Sequence, residues 1–316
     1  MASDTTMIEV ATRYWLHNET MQAIARDMGV SRSTISRMLS EARDLGVVQV
    51  KVRQPAVSSP MDRELSDRFG VNARVVHLPA NASANQRLRR VTQVAGDLLV
   101  NILTPDDVVG IAWGTTIVNV SEQLNAHPIP GLTLVQINGA VNTRNSGIPW
   151  VGDLLTNMAT KMDARIVYFP VPAFFDNPKT KELMWQERSV KAVLEVQSKM
   201  TVALFSVGVL SGPTISHVYA NGYLDEKDML ALRQQGVVGD VCTVMLREDG
   251  TYEDIPINQG ATGYTPAQLA EVPRRICVVS GPTKAAPLLG ALRAGVATDL
   301  VIDWDTAKAL LSRANR

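Results

Sequence analysis

Twenty residues near the start of the chain, Thr20 to Leu39, constrain the fold more than any other stretch. Gly29 permits the positive φ of a tight turn, and Ala25 is small enough for two helices to cross closely. Apolar residues that would form a shared core recur at helical spacing at Ile24, Val30, Ile35, Met38 and Leu39. A preceding helix is indicated by Ile8, Ala11, Tyr14 and Trp15. The stretch therefore predicts a small helical bundle with a tight turn.

The order of small residue, turn glycine and late β-branched residue resembles the helix-turn-helix signature. Ser31 is a good N-cap, so we expect a recognition helix over residues 31–43. Its outer face carries side chains suited to base edges and phosphates: Arg32, Ser33, Thr34, Ser36, Arg37 and Arg43. A plain bundle with solvated arginines is the alternative. The spacing favours binding of double-stranded DNA over that alternative, because it is more specific than a basic patch.

The first domain is expected to end shortly after this helix. Beyond Gly46, Val48, Val50 and Val52 alternate with polar residues, which predicts a short strand that would form a wing. Residues 54–60 contain the proline and serine typical of a linker. We therefore predict a DNA-binding domain over residues 1–54 and a larger domain over residues 55–316.

Composition narrows the function without deciding it. The chain has 31 basic and 31 acidic residues, so net charge does not indicate nucleic acid. It has no unbroken apolar run of membrane-spanning length and no signal-peptide pattern, so we expect a cytoplasmic protein with no membrane partner. Cys242 and Cys277 are not spaced as a metal or redox motif, and the four histidines lie far apart. We expect neither a metal nor a cofactor.

The larger domain alternates β-rich runs with helical patterns. Runs typical of buried strands occur at residues 74–77, 108–112, 132–137, 165–169, 202–207, 276–280 and 300–302. Helical patterns follow several of them, notably at residues 86–103, 116–125, 284–294 and 305–312. Repeated strand-helix units predict an α/β fold with a mainly parallel sheet. In such sheets ligands bind outside the carboxyl ends of the strands.

Small and polar residues follow several of these runs. Gly114, Thr115 and Thr116 end one strand and open a helix, where backbone amides and hydroxyls could hold a phosphate. Lys284 lies in the first turn of another helix, a position unfavourable for a cation unless an anion binds there. Further polar candidates are Gln136, Asn138, Gly139 and Asp240. The alternatives are an ordinary turn at Gly114 and a solvated surface lysine at Lys284.

Together these motifs identify a resemblance to the SorC/DeoR-type sugar-responsive transcriptional regulators. It rests on residues 20–39, Gly110 to Thr115, Gly239-Asp240, Gly281-x-x-Lys284, and Ala291 to Gly295 leading to Leu300–Asp303 and Ala307. The resemblance implies an effector domain similar in fold to ribose-5-phosphate isomerase and glucosamine-6-phosphate deaminase. It also implies a repressor of carbohydrate genes that binds operator DNA as a homodimer or homotetramer.

The resemblance implies a role for each effector-site residue. Phosphate contacts would fall on Gly114, Thr115, Thr116 and Lys284, and sugar hydroxyls would lie near Gln136, Asn138, Gly139 and Asp240. Asn138 stands where some members have a lysine, which excludes a Schiff base there. Pro282 replaces a glycine common in the last loop and removes one backbone donor.

Several alternatives stay open from sequence. A sugar-phosphate isomerase or deaminase would use Asp240 as a base, but no partner residue is evident and we predict no catalytic residues. A long amphipathic helix is expected over residues 180–199, and we favour internal packing for it and for Trp185. The aromatic residues Trp150, Phe174 and Phe175 belong either to the core or to a crevice wall.

Overall fold

The structure is a computed structural model that describes residues 4–45, 47–48, 59–79, 81–142, 148–210, 216–220 and 222–315. Its contacts divide the chain into two compact units, Met1–Val57 and Ser58–Arg316. None of the described helices is both long and apolar enough to cross a membrane.

The first unit contains three helices, α1 (Asp4–Trp15), α2 (Met21–Asp27) and α3 (Arg32–Asp44). Thr20 and Ser31 cap α2 and α3 by accepting backbone N–H bonds, and Gly29 has the predicted positive φ of 65°. The core consists of Val10, Ile24, Ala25, Ile35 and Leu39. The prediction that Val30 lies in this core is wrong: it is 36% exposed, because the turn after α2 carries its side chain outside the bundle.

Only the first residues of the predicted wing are described. Val48 packs against Met7, Ala11 and Ala42, and its amide donates to the Ala42 carbonyl. The remaining predicted wing residues, Gln49 to Arg53, lie outside the described residues. The linker residues 54–58 lie outside them too.

The second unit is built on a parallel sheet of seven strands. These strands are β1 (Asn72–Val76), β2 (Val108–Ile111), β3 (Thr133–Gln136), β4 (Arg165–Val167), β5 (Val202–Phe205), β9 (Arg274–Val279) and β10 (Asp299–Asp303). Their order in the sheet is β1-β10-β9-β5-β2-β3-β4. The predicted α/β fold with a mainly parallel sheet is confirmed.

Helices cover both faces of this sheet. Ile276 and Val278 of β9 join one hydrophobic cluster, while their neighbours Cys277 and Val279 join another. This alternation is expected of a strand buried on both faces. The helices are α4 (Pro60–Phe69), α5 (Ala84–Ile102), α6 (Thr115–Gln123), α7 (Ile148–Met162), α8 (Pro178–Met184), α9 (Arg188–Gln197), α10 (His217–Ala220), α11 (Glu226–Gln234), α12 (Pro266–Ala270), α13 (Ala285–Arg293) and α14 (Trp304–Ala314).

A second, antiparallel sheet was not predicted. It contains β6 (Val207–Val209), β7 (Val237–Val241) and β8 (Val244–Arg247). Gly239 and Asp240, which we expected in a loop after a strand, lie inside β7. The two residues joining β7 to β8, Cys242 and Thr243, have φ of 50° and 67°. Such two-residue turns normally carry asparagine and glycine, so Cys242 and Thr243 provide no turn signal.

The predicted helix over residues 180–199 is wrong in length, since the chain forms α8 and α9 with a corner between them. Trp185 ends α8 and makes edge contacts with Phe169 and Phe175, at 5.6 and 6.1 Å between ring centroids. These contacts hold the corner. They also confirm the expected internal packing of Trp185.

Candidate functional sites

A partly open cavity, lined by both polar and apolar groups, lies at the carboxyl ends of β2, β5 and β9. Six of the eight predicted effector residues line it: Gly114, Thr115, Thr116, Asn138, Asp240 and Lys284. The wall is completed by Ala112, Trp113, Ser206, Val207, Gly208, Ser216, Val218, Cys242 and Thr243. The sheet topology thus gathers residues that are up to 170 positions apart in the chain, from Gly114 to Lys284.

One side of the cavity is suited to an anion. Gly114 is the N-cap of α6 and supplies no side-chain cap, so the helix N-terminus is presented to the cavity by backbone groups. Lys284 Nζ donates to Thr116 Oγ1 at 3.1 Å and to Ser206 Oγ at 3.3 Å. Burial lowers the pKa of Lys284 to about 8, against smaller raising effects of Cys277 and Asp240. The cation is therefore placed against neutral hydroxyls at the end of a helix dipole that attracts anions.

The loop that carries Lys284 has few amides left for a ligand. The Gly281 amide donates to Asp303 Oδ2 at 3.0 Å and to Thr306 Oγ1 at 2.8 Å. Pro282 has no amide hydrogen, and the Lys284 amide donates to the Gly281 carbonyl at 3.0 Å. Of the four residues 281–284, Gly281 and Lys284 thus have backbone amides that are already hydrogen-bonded, and Pro282 has no amide donor. An anion here would depend on the Lys284 ammonium and the start of α6.

Asp240 contributes a carboxylate to the same cavity. Its carboxylate accepts from Tyr219 Oη at 2.8 Å and from the Thr243 amide at 3.0 Å. Burial raises the pKa of Asp240, while the Tyr219 and Thr243 hydrogen bonds and the charge of Lys284 oppose the rise. A Cβ on Gly208 would lie 1.8 Å from Asp240 Oδ1, so the carboxylate occupies space that only glycine leaves open. Two bonds leave this carboxylate with further acceptor capacity.

Asn138 lines the cavity, whereas Gln136 and Gly139 lie behind its wall. Asn138 Oδ1 accepts from the Trp113 amide at 3.3 Å. Gln136 is bonded within the protein: its Nε2 donates to the Asn138 carbonyl and its Oε1 accepts from the Phe169 amide. The Gly139 amide donates to Thr262 Oγ1, and a Cβ there would lie 2.2 Å from the Pro172 carbonyl oxygen. Gln136 and Gly139 therefore position the loop that carries Asn138.

Sequence reasoning missed several residues around the cavity. Ser206 follows the apolar residues of β5, so the rule that found Thr115 could also have found it. Gly208, Tyr219 and Thr243 carry no local signal, because their roles depend on contact with Asp240 across the antiparallel sheet. Small and polar residues also follow β6 in the sequence, but Ser211, Gly212 and Thr214 lie outside the described residues.

The three aromatic residues left open by the sequence separate into two environments. Trp150 packs edge-on against Trp113 at 5.8 Å, behind the cavity wall. Tyr223 stacks on Trp113 from another side at 5.2 Å and donates to the Ala140 carbonyl. Phe174 and Phe175 line a separate cleft of about 1000 Å³. The core interpretation thus fits Trp150, and a cleft wall fits the two phenylalanines.

In the first unit, α3 presents most of the predicted DNA-binding residues to solvent. Arg32, Ser33, Ser36, Arg37 and Arg43 are exposed, and Thr34 is half-buried. Ser31 Oγ lies 2.7 Å from Ser33 Oγ and 2.8 Å from Thr34 Oγ1, so those two hydroxyls support the cap. The Arg43 guanidinium lies over the Trp15 ring, 5.2 Å from its centroid.

Arg13 fixes the start of the helix-turn-helix from within the unit. It bonds Glu19 at 2.7 Å and Asp27 at 2.6 Å, joining α1 to both ends of α2. The hydrogen bonds that Arg13 donates to Glu19 and Asp27 raise the pKa of Arg13, and the bond to Glu19 lowers the pKa of that carboxyl. Arg13 is thus an internal brace, whereas Arg26 of α2 and the arginines of α3 are exposed.

Comparison with known proteins assigns the family. Residues 55–312 match the sequence model of the family described as "Putative sugar-binding domain". The deoxyribonucleoside regulator of Bacillus subtilis is 27% identical over 307 residues, covering 96% of each chain. A crystallised domain of "a possible sugar-binding transcriptional regulator" from Arthrobacter aurescens is 39% identical, with a TM-score of 0.74, and covers 82% of this chain and 100% of its own.

A likeness in fold extends over both units. The full-length sorbitol operon regulator SorC of Klebsiella pneumoniae covers 98% of this chain and 99% of its own, with a TM-score of 0.80 and 23% identity. The names of these relatives give no support to the isomerase or deaminase alternative. The chain belongs to the SorC/DeoR-type family of sugar-binding transcriptional regulators.

Proposed function

We propose that this protein is an operator-binding repressor whose DNA affinity is controlled by a sugar or sugar phosphate bound in the cavity. The observation that carries the proposal is that one cavity is lined by the Lys284 ammonium, the N-terminus of α6 and the Asp240 carboxylate. A polyol that carries an anionic group offers a partner to each of them. We assign DNA binding to residues 1–54 and effector binding and oligomerisation to residues 55–316.

The phosphate of such an effector would lie against Gly114, Thr115, Thr116 and Lys284. The start of α6 offers amides and the Thr116 hydroxyl, and Lys284 offers a charge that is hydrogen-bonded to the neutral hydroxyls of Thr116 and Ser206. A phosphate that binds here would pair with a cation that is largely shielded from water, where opposite charges attract more strongly than in bulk solvent. Since the Gly281 amide is bonded to Asp303, the phosphate contacts come mainly from α6 and the lysine side chain.

The hydroxyl groups of the effector would lie against Asp240 and Asn138. A buried carboxylate with remaining acceptor capacity discriminates strongly in favour of ligands that donate hydroxyl hydrogens. Because Asn138 has no nucleophilic amine, it would contact the effector by reversible hydrogen bonding and not through a Schiff base. Gln136 and Gly139 contribute indirectly, by fixing the loop of Asn138.

DNA would be read by the exposed face of α3. Arg32 and Arg37 are free to reach guanine edges or phosphates, and Ser36 offers a hydroxyl. Ser33 and Thr34, whose hydroxyls contact Ser31, would act mainly by holding the helix start. Arg43 would contact the backbone from its position over Trp15. We further propose a homodimer or homotetramer on two half-sites in the cytoplasm.

The decisive experiment is a mobility shift on DNA from upstream of the protein's own gene. The titration uses pentose, hexose and polyol phosphates alongside the corresponding free sugars. We expect one phosphorylated compound to change the shift, and Lys284→Ala to abolish that response without altering DNA binding by the unliganded protein. If only a free sugar changes the shift, the proposed phosphate contacts are wrong. A folded protein that binds no DNA under any condition would contradict the proposal.

A further inference from the structure

The loop beneath the cavity is attached to the buried N-terminus of α14. Asp303 is 1% exposed and Thr306 is fully buried. The Asp303 carboxylate accepts from the Gly281 amide, from the Thr306 amide at 3.0 Å and from Thr306 Oγ1 at 2.7 Å. One side chain therefore caps α14 and holds the loop of Lys284. A movement of this loop cannot occur without changing bonds at the start of α14.

The opposite end of α14 is attached to α4. Arg68 of α4 donates to Asn315 Oδ1 at 2.5 Å and to the Ala314 carbonyl. Between its two ends α14 buries Thr306, Ala307, Leu310 and Leu311 on one face, so it is packed along its length. A packed helix shifts as a body, because close-packed interiors deform little.

The helix α4 is the element that begins the second unit, directly after the residues that connect it to the first. Two further bonds join α4 to the sheet: Asp62 Oδ1 accepts from the Val75 amide at 2.7 Å, and Ser66 Oγ accepts from the Ala73 amide at 3.2 Å. Its strand neighbour β1 pairs with β10, the strand that ends in Asp303. The point of covalent attachment to the first unit is thus bonded to the helix that holds the effector loop.

We propose that α14 couples occupancy of the cavity to α4, with Asp303 as the positioning residue at the loop and Arg68 as the positioning residue at α4. The proposal rests on the function proposed above. An anion that pairs with Lys284 pulls on the Gly281–Lys284 loop. Because Asp303 bonds this loop to α14, the helix shifts with it, and the bonds of Arg68 transmit the shift to α4. Neither residue need touch the effector or DNA.

Hydrogen-deuterium exchange of the full chain tests this coupling, with saturating inorganic phosphate compared against chloride at equal ionic strength. In the parent protein, phosphate should slow exchange at residues 281–284, at the start of α14 and in α4. Arg68→Met removes the donors and also the guanidinium that lies 5.9 Å from the centroid of the Phe69 ring, while the bonds of Asp62 and Ser66 keep α4 in place. In this variant the slowing at 281–284 should persist while that in α4 is lost. Lys308→Met, an exposed change on α14, serves as the matched control and should behave as the parent.

The outcomes separate this proposal from the one on which it rests. If phosphate does not alter exchange at residues 281–284 of the parent, the anion site is wrong and the coupling falls with it. If that loop responds but α4 does not, only the coupling is wrong. An α4 response that survives in Arg68→Met also overturns it.

Discussion

At the residue scale, Lys284 shows that a group proposed to bind the effector lowers the stability of the fold. Its folded-state pKa of about 8 lies below its ordinary value of 10.5, because burial disfavours the charged form. Below pH 8 the folded protein carries the full penalty of that buried charge. As the pH rises from 8 to 10.5 the unfolded chain holds more protons than the folded one, so stability rises.

Replacing this lysine should therefore stabilise the protein at neutral pH. We expect Lys284→Met to raise the free energy of unfolding by about 1–3 kcal/mol at pH 7, less than the full pKa shift implies because two hydrogen bonds are lost. The gain should shrink as the pH passes 8 and vanish above about pH 10.5. Urea unfolding across this range measures it, with Lys308→Met as the exposed control. Equal stability of parent and variant at pH 7 would show that the charge is well solvated.

Gly208 sets the position of Asp240 by having no side chain. A Cβ 1.8 Å from Asp240 Oδ1 would displace the carboxylate from Tyr219 and Thr243. Gly208→Ala should weaken binding of the compound identified by the mobility shift about tenfold or more, since a bond to a charged group is lost. Calorimetric titration gives the affinity. Gly152→Ala, in a helix where a Cβ meets nothing within 4 Å, should leave affinity unchanged. If Gly208→Ala and Gly152→Ala bind the compound with equal affinity, Asp240 does not contribute to its binding.

At the element scale, α3 joins a buried face to a polar outer face. Ile35, Leu39 and Ala42 are buried, whereas Arg32, Ser36 and Arg37 are exposed. The same helical period that buries one set presents the other, so the fold of this unit and its proposed DNA surface derive from one pattern. Substitutions on the outer face should accordingly leave the bundle intact.

Arg37→Ala tests that separation. It should weaken operator binding by about 1–3 kcal/mol and reduce the dependence of binding on salt. The melting temperature and the affinity for the effector should not change. Fluorescence anisotropy at several salt concentrations measures the DNA affinity, and Lys227→Ala on the exposed side of α11 serves as control. Undiminished binding at moderate salt would move the recognition surface away from Arg37.

Elements with a local signal could be predicted, and those specified by distant contacts could not. The parallel strands were found because a strand buried on both faces is an uninterrupted apolar run. The antiparallel sheet could not be predicted because Cys242 and Thr243 form a turn that usually contains asparagine and glycine. The corner at Trp185 depends on Phe169 and Phe175, which no helical period reveals. The helical patterns found in the sequence do not include α7, although its residues Leu154, Met158 and Met162 recur at helical spacing.

The same division holds for the cavity. Residues that follow parallel strands, such as Thr115 and Asn138, could be predicted because the carboxyl ends of all these strands share one edge. Asp240 is predicted to lie in a loop after a strand, yet it reaches the cavity from within an antiparallel strand. Its supports, Tyr219 and Gly208, come from segments whose proximity only the folded chain establishes.

At the scale of the whole molecule, regulation requires that the effector bind two arrangements of the protein with different affinities. The route from Lys284 through Asp303 and α14 to Arg68 supplies bonds that two such arrangements could differ in. If DNA and effector are linked through this route, the coupling free energy must be the same in both directions. That reciprocity holds whatever the sign of the effect.

Reciprocity gives a prediction that is independent of the identity of the effector. The factor by which the identified compound changes the Kd for operator DNA should equal the factor by which operator DNA changes the Kd for that compound, typically about 5-fold to 150-fold. Anisotropy measures the first and calorimetry the second. Arg68→Met should reduce both factors equally while leaving effector affinity in the absence of DNA unchanged, because it weakens the link without touching the cavity. Unequal factors in the parent would mean that another step, such as a change in subunit assembly, accompanies binding. Factors that agree in the parent and are unchanged in Arg68→Met would retain two-state regulation but exclude α14 as its route.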